Sequence, residues 1–222
     1  MAELTLVIGN KAYSSWSLRP WLLLRHAGIP FKEIRIPLYT PDTQKRIHEH
    51  SPSGRVPLLI DGAIKIWDSL AICEYVNERF PQVKGWPEAV AARAVARSVS
   101  AEMHSGFSDV RTELPMNVRG NRTGVTPSPA ARAGIDRILE VWCDCRERFG
   151  AGGSFLFGRF GIADAMFAPV VTRFATYGVE LTGAARDYSA AVQALPSLHE
   201  WVDAARAENE VVPSSERGTP VA

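Results

Sequence analysis

Three cysteines, Cys73, Cys143 and Cys145, are too few for a disulfide framework. That argues against a disulfide-stapled secreted domain and sets the expected home in a reducing cytoplasm. Nowhere does the chain hold the ~20 continuous apolar residues that a membrane span needs. Its start, Met1–Ala2–Glu3–Leu4, lacks the basic flank and long apolar core of a secretion signal. An excess of one charge is missing too: 25 Lys and Arg face 24 Asp and Glu. So balanced a chain has no electrostatic case for nucleic acid or an anionic membrane surface. Phosphate loops of the GxxxxGK[ST] or GxGxxG type are absent, and the five histidines show no HExxH spacing. Cys143–Asp144–Cys145 falls in an expected helix, where residues two apart point to different faces and share a metal poorly. No metal site is expected. Repeats and low-complexity tracts are absent.

What is present centres on Val56–Pro57–Leu58–Leu59–Ile60–Asp61–Gly62 and the following Ile66–Trp67–Asp68–Ser69–Leu70–Ala71–Ile72. Asp61–Gly62 between two apolar runs signals a tight hairpin. Asp68–Ser69 precedes an apolar run at helical spacing and serves as its N-cap. Pro57 at a strand mouth donates no hydrogen bond, which suits a special geometry such as a cis bond. Upstream, Leu4–Ile8, closed by Gly9–Asn10, reads as a strand and its turn, and Ser17–His26 as a helix with Pro20 in its first turn. Phe31–Pro37 reads as a second strand and Pro41–His50 as a short polar helix. The order βαβαββα predicts a small mixed sheet covered by helices.

Pro81–Pro87, with two prolines and a glycine, marks a linker. Beyond it strand signals are few. Helices are predicted over 88–111, 130–149, 164–177 and 196–207, the third as the buried one. The segment 211–222 has no periodicity and reads as a loose or docked tail.

Ser14 and Ser15 stand between the first strand and the first helix, where free N–H groups and the positive helix end favour an anion. A serine there is also an ordinary cap. Tyr13 is a rival hydroxyl.

These residues resemble the glutathione-binding half of the cytosolic glutathione transferases. The likeness rests on Ser53–Gly54–Arg55–Val56–Pro57–Leu58–Leu59, the turn, Asp68–Ser69–Leu70–Ala71–Ile72 and Tyr75. It is close over the first eighty or so residues and looser beyond. Ser14–Ser15–Trp16–Ser17–Leu18–Arg19 resembles the Ser-Ser-Cys-Ser-Trp-Arg entry of the zeta class. The resemblance implies a thioredoxin-like domain over 1–84 and an all-helical domain over 88–222. It implies a glutathione transferase, usually a homodimer, with glutathione as co-substrate and a hydrophobic electrophile as the second.

Carried onto this chain, Ser14, with Ser15 close behind, holds the glutathione sulfur as thiolate. Val56, ahead of a cis Pro57, pairs with the cysteinyl main chain. Asp68 and Ser69 receive the γ-glutamyl end. Lys45, Arg46 and His48 are open choices for the glycyl carboxylate, and each is equally a solvated charge. His104 and Arg111, seven apart on one expected helix, are pocket candidates or plain surface. Arg19 is a solvated residue or a contact near the site. Trp16 replaces the zeta cysteine, which removes a thioredoxin or glutaredoxin reading and bears on maleylacetoacetate isomerisation rather than on glutathione. Gly161–Ile162–Ala163–Asp164 resembles the family's capping box, so Asp164 is structural. Alternatives are a glutathione-dependent cis–trans isomerase and a non-catalytic binding module.

Overall fold

A computed structural model describes residues 3–221; Met1, Ala2 and Ala222, at the ends of the two expected domains, lie outside the described residues. The first half follows the predicted order: β1 (Thr5–Ile8), α1 (Ser15–His26), β2 (Lys32–Arg35), α2 (Thr43–His48), β3 (Leu58–Asp61), β4 (Ile64–Trp67) and α3 (Ser69–Arg79). The sheet order is β2-β1-β3-β4. β1 runs parallel to β2, with Val7 opposite Ile34, and antiparallel to β3, with Leu6 opposite Leu59. β3 and β4 form the hairpin, turning at Gly62 with a positive φ of 58° that glycine adopts freely.

The second half is helical: α4 (Val90–Ser105), α5 (Ser108–Glu113), α6 (Pro129–Phe149), α7 (Ile162–Thr176), α8 (Gly183–Gln193) and α9 (Pro196–Arg206). A two-stranded ribbon joins β5 (Arg122–Thr123) to β6 (Thr219–Pro220). Helix α1 is buried nearly all round, polar residues included, because it packs against α3, α7 and α9 at once. Leu18, Leu22 and Leu24 are fully buried there. α7 is covered along almost its whole length and meets both α1 and α4. Behind it Trp142 sits edge-on to Tyr188, their ring centroids 4.9 Å apart. The helical half therefore grips the first helix, whose N-terminus carries the two serines.

Several boundaries differ from the sequence reading. α1 begins at Ser15, so Pro20 lies inside the helix rather than in its first turn. The predicted helix over 88–111 is two helices. Gly106 is extended and Phe107 is left-handed at φ 59°, which ends α4 and restarts the chain as α5. His104 and Arg111 thus sit on different helices, not on one face of one. α8 was not anticipated, although Ala185, Tyr188, Ser189 and Val192 are its buried residues at helical spacing. The tail is docked: β6 pairs with β5, and Val221 N–H donates to the Asn121 carbonyl, 2.9 Å.

Candidate functional site

The turn from β1 into α1 is built by side chains from distant parts of the chain. Asn10 accepts the N–H groups of Tyr13 and Ser14 at its carbonyl, 3.2 and 2.8 Å. The Glu208 carboxylate accepts from the N–H groups of Lys11 and Ala12, 2.7 and 3.0 Å. Ser14 then occupies the N-cap of α1, yet its side chain caps no helix N–H. Its hydroxyl donates to Ser17 Oγ, 2.7 Å, which also accepts the Gly9 N–H. Ser15 opens the helix itself. Both serines are nearly buried and line one cleft of about 460 Å³. Tyr13 reaches that cleft too, but its hydroxyl is committed. It donates to Glu216 Oε1 and accepts from Arg119 Nη2, both at 2.5 Å.

A second cleft, of about 520 Å³, adjoins the first; Trp16 and Val56 line both. It brings together Val56, Pro57, Asp68, Ser69 and His104. The Val56–Pro57 bond is cis. Asp68 stands at the N-cap of α3 with φ 76°, a conformation that a residue bearing a Cβ adopts at a cost of about 1–3 kcal/mol. One of its oxygens, Oδ1, accepts from the N–H groups of Leu70 and Ala71, 2.9 and 3.3 Å. The other lies 3.2 Å from His104 Nε2. His104 therefore belongs to the Asp68 cleft, whereas Arg111 lines the serine cleft.

Arg19 is not solvated. It is 1% exposed, its Nη1 donates to Ser69 Oγ at 3.4 Å, and burial pushes its pKa down to about 9. Burying a guanidinium without a carboxylate partner costs several kcal/mol. Trp16 offsets part of that: the Arg19 guanidinium lies 4.2 Å from its ring centroid, and Arg111 lies 5.1 Å from it. The tryptophan that replaces the zeta cysteine is the wall between the two clefts and the cover of a buried cation.

Lys45, Arg46 and His48 line neither cleft; the His48 ring is turned back to its own helix, with Nδ1 2.7 Å from the Gln44 carbonyl. Arg55 lines the Asp68 cleft instead. The sequence reading passed over it as part of the Ser53–Leu59 match, although a cation next to Val56 was signal enough. The serine cleft is also less apolar than the resemblance implies. Arg111, Arg173 and Arg217 line it, alongside Leu38, Pro115 and Met116. Asp164 is buried at the start of α7 and accepts from the N–H groups of Leu156 and Gly161, 3.0 and 2.8 Å. A third cleft, also about 520 Å³, lies between α7 and α9 and shares no residue with the other two.

Two family models match the chain: the glutathione S-transferase N-terminal domain over residues 13–79 and the C-terminal domain over 87–204. Among curated proteins, a dichloromethane dehalogenase of Methylorubrum extorquens is 37% identical over 60 residues, 26% of this chain and 21% of that protein. A probable maleylacetoacetate isomerase of Caenorhabditis elegans is 33% identical over 94 residues, 42% of each chain. Glutathione S-transferase Z1 of Arabidopsis thaliana is 26% identical over 173 residues, 72% of this chain and 75% of that one. The chain thus spans less than half the length of the first two. A solved glutathione transferase homolog from Burkholderia gl BGR1, with bound glutathione, shares the fold at a TM-score of 0.69 and 23% identity, over 93% of this chain and 100% of that one. With both family models matched in order, the chain belongs to the glutathione S-transferase family.

Proposed function

We propose that this protein is a glutathione transferase that holds the tripeptide across the two adjoining clefts and activates its thiol at the tip of α1. The observation that carries the reading is the shared wall. Val56 lines both clefts, so one extended peptide can lie against it with its γ-glutamyl end at Ser69 and its sulfur at Ser14. At the N-terminus of α3, Asp68 takes the Leu70 and Ala71 N–H groups, which leaves the Ser69 N–H and hydroxyl for the γ-glutamyl carboxylate. The buried Arg19 behind Ser69 adds positive charge there. The other oxygen of Asp68, Oδ2, beside His104, suits the α-ammonium group. Arg55 is the cation for the glycyl carboxylate.

Ser14 holds the thiolate. Its hydroxyl leaves Ser17 and donates to sulfur, and the positive end of α1 favours the negative charge. The thiolate then attacks an electrophilic carbon of the second substrate in the serine cleft. A cis–trans isomerase is the second reading, favoured by the maleylacetoacetate isomerase relative; in it the same thiolate adds to the substrate and later leaves. A homodimer is part of the proposal, as is a non-membrane setting: among the described residues no helix is long and apolar enough to cross a bilayer.

The test is thermal unfolding with and without millimolar glutathione, followed by turnover of 1-chloro-2,4-dinitrobenzene against maleylacetoacetate. Glutathione binding raises the melting temperature by mass action. A shift plus chloro-aromatic turnover supports the transferase, and a shift plus isomerisation alone supports the second reading. No shift would favour a non-catalytic module.

A further inference from the structure

The C-terminal segment is a strap tied down at two points. Upstream, Val212 is buried against Ala12 and Tyr13. Downstream, β6 pairs with β5, and a Cβ on Gly218, at φ 74°, would meet the Thr123 carbonyl at 2.7 Å. Between the ties, Glu216 is the latch. Its carboxylate accepts from the Tyr13 hydroxyl at 2.5 Å and Asn117 Nδ2 at 3.0 Å, and is ion-paired to Arg122. The residue next to this latch is Arg217, which lines the serine cleft. So the main chain that carries Arg217 is fixed, while the residue itself is exposed and stands in no ion pair among the described residues. The carboxylate that senses it, Glu113, is occupied by Ser128, from N–H at 2.8 Å and from Oγ at 2.6 Å.

Two more arginines line the same cleft, and backbone carbonyls are the hydrogen-bond acceptors of their guanidiniums. Arg173 donates to the carbonyls of Arg111 and Leu114, 3.2 and 2.6 Å; Arg111 donates to those of Gly106 and His104, 2.5 and 3.4 Å. No Asp or Glu lines the cleft. In a chain whose total charge is +1, three cations converge where a second substrate would sit beside the serines. Such a cleft repels nothing so much as another cation and rewards an anion that can bridge guanidiniums.

We infer that Arg217, presented by the latched strap, is a specificity-determining residue that selects second substrates bearing a carboxylate or similar anionic group. The inference rests on the glutathione reading, since the anion is placed relative to a sulfur at Ser14. It does not depend on whether the chemistry is transfer or isomerisation. Glu216 is a positioning residue for it, holding the strap so that the guanidinium overhangs the cleft.

The test uses two glutathione conjugates that differ by one carboxylate, S-benzylglutathione and S-(4-carboxybenzyl)glutathione, bound to the full chain in a calorimeter. The wild type is expected to prefer the carboxylated conjugate by about tenfold, the size of a charge-assisted contact. Arg217→Gln should abolish that preference and Arg217→Lys should keep part of it. Glu216→Gln should weaken it while leaving Arg217 in place, which separates the strap's position from its charge. Equal affinities in the wild type, or an undiminished preference in R217Q, would overturn the inference while leaving the glutathione reading intact. Failure of both conjugates to bind would overturn the inference and the glutathione reading together.

Discussion

At the scale of the residue, the site depends on groups denied their usual partners. Ser14 caps a helix without bonding its N–H groups, Asp68 accepts a costly backbone angle, and Arg19 is buried with a serine and an indole for company. Such departures from the locally comfortable choice gather at functional sites. Arg55 carries a prediction of this scale. Arg55→Ala should raise KM for glutathione about fivefold, the worth of one exposed charge-assisted contact, while kcat holds. An unchanged KM in steady-state kinetics would remove Arg55 as the partner of the glycyl carboxylate. Residue identities of this kind were partly legible beforehand. Ser14, Val56–Pro57 and Asp68–Ser69 stand in short local patterns, each with its own physical reason. The commitment of the Tyr13 hydroxyl was not, because its partners Arg119 and Glu216 lie 106 and 203 residues away. Arg19 was left open for the same reason: only α3 and the wall of Trp16 make it a buried residue.

Elements decide how firmly those residues are held. α1 carries the serines and is wrapped by three other helices, so its stability is tertiary rather than intrinsic. Leu22, fully buried in it, touches no proposed ligand group. Leu22→Ala should cost about 2–5 kcal/mol in urea unfolding. A loss well under 1 kcal/mol would mean that α1 is not the packed centre described. α7 carries a pH prediction. Burial pushes the Asp164 carboxyl up to about 7, against an ordinary value near 4. Between those values the folded chain holds a proton that the unfolded chain has lost. The contribution of Asp164 to stability is therefore complete below about pH 4 and fades as pH rises through 7, by up to about 1.4 kcal/mol per pH unit. Asp164→Asn should flatten that part of the profile in denaturant titrations from pH 4 to 7. An unchanged profile would contradict the assignment. Some elements were readable from the chain: β1 and α7 as apolar runs, the β3–β4 hairpin by its turn, and α6 by its apolar face. The split at Gly106–Phe107 hid inside an alanine-rich helical run, and a two-residue strand such as β6 has no periodicity to read. It exists only because Arg122–Thr123 lies alongside.

At the scale of the whole molecule, the proposed reading gives the sheet half the role of a ledge for an extended peptide, with the helical half and C-terminal strap closing the space beside its sulfur. The order of elements foretold the sheet half itself. The space beside the sulfur was foretold as an apolar pocket, and the folded chain places three arginines there. Two of them come from α5, which the sequence merges into a longer helix although Arg111 is a pocket candidate there, and from a tail that reads as loose or docked. Charge that converges only in three dimensions leaves no local trace in a chain balanced overall. The central claim is that the tip of α1 and Ser14 turn bound glutathione into a thiolate. Its most direct test is ultraviolet titration of the thiolate in the protein–glutathione complex, with Ser14→Ala beside it. The account predicts a bound thiol that ionises at least about one pH unit below a free thiol, whose usual value is about 8.5, and a return toward that value in S14A. A bound thiol that titrates like free glutathione in the wild type would contradict it.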